Sequence, residues 1–164
     1  MKTIYLILLF NLVICSNTFQ KLDFDGNQAF NYIKKQCEFG PRFPGSSSHE
    51  KFSEYLYNYF VSHSDSVKIY VDSVSHPVSK KKLKINNFFI QHNLKSDERY
   101  LFIAHWDTRD RADKDSNPEN QLKPILGAND GASGVALLMQ LSHHIKNDID
   151  LKNIGIDILL VDAE

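Results

Sequence analysis

Ile158-Leu159-Leu160-Val161-Asp162-Ala163-Glu164 is an apolar run that ends in two acids. A buried strand with carboxylates at its C-terminal tip delivers them to the crevice where open α/β sheets bind ligands. Asp162 and Glu164 lie two apart, so an extended backbone would project both to one face. The alternative is an ordinary strand exit with solvated acids. Upstream, Tyr100-Leu101-Phe102-Ile103-Ala104 is a second continuous apolar run, read as a central strand covered on both faces. Between the two, Gly134, Leu138, Leu141 and Ile145 fall on one stripe and predict a helix from Gly131 to Lys146. Strand, helix and strand in that order predict an α/β fold. The sheet is expected to be mixed and largely parallel, with helices on both faces.

Working towards the N-terminus, Arg109 to Pro124 reads as a long polar loop, a length that is uncommon without a function. Val67-Lys68-Ile69-Tyr70-Val71 alternates like a half-buried strand, with Lys84 to Ile90 as its hairpin partner. Phe52, Leu56, Tyr59 and Phe60 share one face of a helix opened by a capping box at Ser47 and Glu50. Phe39-Gly40-Pro41-Arg42-Phe43-Pro44-Gly45-Ser46 is an ordered loop. Ala29, Phe30, Ile33 and Cys37 predict an earlier helix over residues 27–37.

The chain has 164 residues, 42% of them hydrophobic and 24% charged, which suits one globular domain with a real core. A formal net charge of −1 excludes a nucleic-acid surface, and Lys80-Lys81-Lys82-Leu83-Lys84 reads as a solvated hairpin. Lys2, a short apolar block from Ile4 to Phe10 and a small polar end match a signal peptide over residues 1–16, and hence a secreted or periplasmic protein. A buried first strand is the other reading of that block. Leu12-Val13-Ile14-Cys15 also resembles a lipobox, which would anchor the chain to a membrane through Cys15, although Ile14 fits it poorly. Cys37 is then left alone, as a small core residue.

Three clusters carry chemistry. His105 and Asp107 sit two apart past a buried strand, so the imidazole and carboxylate converge on one metal, or the acid orients the His. Asn129-Asp130-Gly131-Ala132-Ser133-Gly134 precedes a helix, where Asp130 either caps the helix or binds a cation. Asp162 and Glu164 form the third cluster. Imidazole and carboxylate donors without thiolates suit zinc in an open catalytic site, with a free Glu beside it as base. Trp106 either walls the pocket or packs against a neighbouring loop.

His105-Trp106-Asp107-Thr108-Arg109, Gly127 to Gly134 and Val161-Asp162-Ala163-Glu164 together resemble the M28 family of zinc aminopeptidases. Within it they resemble most the animal-type glutaminyl cyclase relatives, and Phe39 to Ser46 is similar to that family's N-terminal loop. The resemblance covers roughly residues 27 to 164 and implies that residues 17–164 are the N-terminal part of one catalytic domain. It implies one or two zinc ions, with Asp130 and His105 as ligands, Asp107 supporting the His, and Glu164 as the catalytic proton carrier. Further ligands and most of the specificity pocket are expected beyond residue 164. The implied substrates are peptide or protein N-termini. The implied reaction is closure of an N-terminal glutamine to pyroglutamate with loss of ammonia. The alternatives are aminopeptidase hydrolysis on the same scaffold, and an inactive fragment or non-catalytic binding module.

Overall fold

A computed structural model describes residues 23–147 and 149–163. The expected signal segment, Cys15 and Glu164 lie outside the described residues. The elements run α1 (Gly26–Glu38), α2 (Ser47–His63), β1 (Ser66–Ser75), β2 (Lys82–His92), β3 (Glu98–His105), a 3-10 turn (Pro118–Asn120), α3 (Ala132–Asn147) and β4 (Ile154–Val161). No described helix is long and apolar enough to cross a membrane.

The four strands form one sheet in the order β1-β2-β4-β3. The sheet is mixed, as expected, but its parallel part is confined to β3 and β4. The β1–β2 and β2–β4 pairings are antiparallel. Local chemistry accounts for this split. β1 and β2 are joined by a short turn over residues 76–81, closed by His76 N–H to Lys81 O at 2.8 Å. A parallel pair needs a long crossover, and α3 provides it between β3 and β4.

Phe88 and Ile90 of β2 and Ile156, Ile158 and Leu160 of β4 point to one face and form the core with Phe52, Leu56, Phe60, Val135 and Met139. Helix α2 lies on that face, where Asn86 Nδ2 donates to Ser53 Oγ at 3.1 Å. Helix α3 lies there too, with His92 Nε2 3.0 Å from Ser142 Oγ. Helix α1 packs across α3, and Gln36 Nε2 donates to Ala132 O at 2.9 Å. The expected second helical layer is not among the described residues. On the opposite face Leu101 and Ile103 are 53% and 59% exposed, beside an ion pair in which the Arg99 guanidinium meets both Asp157 oxygens at 2.9 and 2.6 Å. Strand β3, expected in the centre, is an edge strand among the described residues. Its apolar run fits a position between two layers, but it has one partner strand and helices on one side only.

Helix boundaries follow the caps. Asp25 accepts from Asn27 N and Gln28 N and starts α1, which buries Tyr32 and Gln36 while Phe30 is exposed. The cap of α2 is Ser46, accepting from His49 N at 3.1 Å, not Ser47 with Glu50. Helix α3 buries Val135, Leu138, Met139 and Ser142, a stripe turned by about one residue from the expected one. Cys37 is free and partly buried.

Candidate metal centre

The site lies where β3 ends and α3 begins. Strand β3 finishes at His105, and one further bond, Trp106 N–H to Val161 O at 3.0 Å, carries the ladder past the last strand residue. Alternation then sends Trp106 into the core and returns Asp107 to the side of His105. Their Nδ1 and Oδ1 atoms are 3.6 Å apart, and Asp107 is buried. The first cluster thus places its two side chains together, as the spacing predicts.

The approach to α3 is a tight turn, with Ala132 N–H on Gly127 O at 3.2 Å. It swings Asp130 over β3, so that its Oδ1 is 3.0 Å from His105 Nε2, while its side chain stays 69% exposed. Gly131, at φ 88°, makes this approach possible. A Cβ there would lie 2.9 Å from Asp107 O and 3.1 Å from His105 Cε1. Of the readings left open for Asp130, capping is not used. Its carboxylate faces the imidazole, and Ser133 Oγ donates backwards to Asn129 O at 2.6 Å.

Trp106 is not a pocket wall. It is fully buried, donates from Nε1 to Asn86 O at 3.0 Å, and stacks on His49 with ring centroids 4.4 Å apart. Strand β4 ends at Val161, Asp162 is buried, and Ala163 has φ 66°. The expected shared face of Asp162 and Glu164 involves a residue outside the described ones.

Arg42 joins the site without any motif spacing that marks it in the sequence. Its guanidinium is fully buried and donates to Trp106 O at 3.3 Å, Gln36 O at 3.3 Å, Leu126 O at 3.1 Å and Gly127 O at 3.1 Å. Its main chain pairs with Thr108 in both directions, N–H to Oγ1 at 2.8 Å and O from N–H at 3.3 Å. One side chain therefore ties the loop after α1 to the His105 loop and to the Asp130 loop. Burial pulls the guanidinium below its ordinary pKa, with Cys37 and Asp107 acting in the opposite direction. A cation set directly among Gly, Pro and Phe is the signal the sequence offers. Further out, His76 Nε2 meets Asp110 Oδ2 at 3.0 Å and joins the β1–β2 turn to the site loop. The Arg111 hydrogen bond holds the Asp110 carboxyl down at about 2.

The donor set suits zinc. Two ligands of a tetrahedral zinc at ordinary bond lengths are about 3.3 Å apart, and His105 Nε2 and Asp130 Oδ1 are 3.0 Å apart. Among the described residues no group of three His, Cys, Asp or Glu side chains is placed to hold an ion.

The model of peptidase family M28 matches residues 87–164, which contain His105, Asp107, Asp130 and Glu164. Over residues 87–164 the chain is thus similar to peptidase family M28. The chain is similar in structure to a glutaminyl cyclase from Tannerella forsythia, at 35% identity and a TM-score of 0.80, over 86% of this chain and 47% of that one. It is also similar to a Zn-dependent exopeptidase from Parabacteroides distasonis, at 31% identity and a TM-score of 0.81, over 87% of this chain and 48% of the other. A leucine aminopeptidase precursor from Bacteroides thetaiotaomicron matches at 35% identity and a TM-score of 0.79, over 87% of this chain and 48% of that one. The chain thus spans about half the length of these structures. A comparison with curated protein sequences found no match.

Proposed function

We propose that this chain is the N-terminal part of a zinc-dependent glutaminyl-peptide cyclotransferase, which closes an N-terminal glutamine to pyroglutamate and releases ammonia. The observation that carries the reading is the 3.0 Å approach of His105 to Asp130, on a scaffold similar to glutaminyl cyclases. His105 Nε2 and Asp130 would hold the ion, and Asp107 would steady the imidazole from its Nδ1 side. Bound zinc supplies a Lewis acid that polarises an amide carbonyl.

In the cyclase reading, the substrate's α-nitrogen bonds to its own side-chain amide carbon and the bond to the amide nitrogen breaks. Glu164 would take the proton from the α-amine and return it to the leaving ammonia. Arg42 keeps the carbonyl groups beneath His105 and Asp130 fixed, so the two donors need little rearrangement to share an ion. An aminopeptidase is the second reading, favoured by the similarity to the leucine aminopeptidase precursor. There Glu164 would take its proton from the attacking water. Residues 1–16 would direct the protein out of the cytoplasm, Cys15 would be the point of attachment in the lipid-anchored alternative, and its partners would be the N-termini of peptides and proteins.

The test is the protein expressed from its complete gene, loaded with zinc and given Gln-β-naphthylamide and Leu-β-naphthylamide. Ring closure with ammonia release on the first, and no cleavage of the second, is expected. Cleavage of the leucyl compound alone overturns the cyclase reading, and inactivity on both leaves a non-catalytic module.

A further inference from the structure

Behind the metal-facing side chains lies a second buried unit. Asp162 Oδ2 accepts from Asn86 N–H at 2.7 Å and lies 2.8 Å from His49 Nε2, which therefore donates to it. Both side chains are essentially out of water, at 3% exposure for His49 and 0% for Asp162. Asp162 N–H in turn donates to Asn87 Oδ1 at 3.0 Å. The same His49 ring stacks on Trp106, whose Nε1 donates to Asn86 O, so Asn86 is bound from both sides. His105 and Asp107 are the two residues flanking Trp106, and Glu164 follows Asp162 by two.

We propose that His49 and Asp162 are positioning residues for the reaction: through Trp106 and Asn86 they lock the tip of β4, which leads to Glu164, against the tip of β3, which carries His105. The inference rests on the reading of Glu164 as the proton carrier. Three features support it. The carboxylate is buried, and His49 Nε2 and Asn86 N–H both meet its Oδ2, so these two donors hold it in place. It comes directly after the last strand residue, where pairing no longer guides the chain. And the contacts reach a third element, α2, so the two strand tips are referenced to a common support and not only to each other. A proton carrier loses rate when its carboxylate shifts by a fraction of an ångström, and removing supports one layer behind a metal site typically costs about 10–100-fold in activity.

The experiment uses the protein from its complete gene, zinc-loaded, with the two naphthylamides. Asp162→Ala is expected to lower kcat about 10–100-fold, with KM and bound zinc within twofold of wild type. Asp162→Asn, which keeps an acceptor for both donors, is expected to restore kcat to within a fewfold of wild type. His49→Ala removes one donor and leaves the Asn86 bond, so it is expected to show the same kcat loss in milder form, and it decides the matter if Asp162→Ala does not yield folded protein. An unchanged kcat in the Ala variants overturns the proposal. So does a loss that follows zinc content, or one that Asp162→Asn fails to recover, since either is what a purely structural role gives. A wild-type protein inactive on both substrates defeats the underlying reading of Glu164, and the proposal with it; an active wild type with unimpaired Ala variants defeats the proposal alone.

Discussion

Among the described residues both faces of the sheet carry apolar side chains, and on β2 and β4 they are covered as they are not on β3. On one, Phe88, Ile90, Ile158 and Leu160 are fully buried beneath α2 and α3. On the other, Leu101 and Ile103 stand in the open. Strand register settles which residues share a face, but not whether anything comes to cover it. The site is built from the covered side. Arg42, His49, Trp106 and Asp162 all reach it from the layer under the helices, and only Asp130 and His105 look outward.

The comparison breaks most sharply at Arg42. Hydrogen bonds from a charged group are each worth roughly 1.5–3 kcal/mol, and Arg42→Ala removes several while leaving buried carbonyls unanswered. We expect this change to leave the 164-residue chain without a cooperative thermal transition; a sharp melt near that of wild type would show the three loops to be held by something else. Arg42→Lys is expected to rescue little, since an ammonium cannot reproduce the planar fork. Next in size is a matched pair of truncations. Phe88→Ala is expected to destabilise by about 3–5 kcal/mol, and Ile103→Ala by under about 0.5 kcal/mol, in urea unfolding of the same chain. Equal losses would mean that the two faces are not as different as their exposures.

The smallest effect concerns pH. His92 belongs to the covered face, and burial holds its imidazole down at about 4 against an ordinary 6.5. The unfolded chain therefore binds a proton that the folded chain refuses across this window. Stability should fall as the pH drops from 6.5 towards about 4 and gain no further loss from this residue below that. His92→Gln, which can still bond Ser142, should flatten the slope in that window alone. An unaltered slope would place the titration elsewhere.

Much of this could be read from residue types and spacing. The apolar runs at 100–104 and 156–161 marked β3 and β4, and the i, i+2 pair at His105 and Asp107 does meet. The Asp130 turn also lands where its glycines allow. What could not be read was contact at long range. Ser46 and Ser47 are equally good caps in sequence, and φ/ψ at the loop decides between them. Tyr100 to Ala104 is apolar enough for a central strand, and its place at an edge depends on chain pairing that no local pattern records. Trp106 lies between His105 and Asp107 and Asp162 two before Glu164, so both read as candidate site residues. Both turn inward because the alternation beside an outward-facing residue has to place its neighbour in the core. Arg42 was invisible for the opposite reason: its partners are main-chain carbonyls, which every residue has.

The hydrogen in place of a side chain at position 131 means that the orientation of the neighbouring imidazole is decided by bare peptide and not by a group that could rotate aside. Any larger residue there would displace the ring while leaving every donor atom in the sequence. Among related sequences, then, an intact His-x-Asp and a downstream acid are an incomplete signature of metal competence. The residue just after that acid discriminates better, because it reports whether the donors have room to meet.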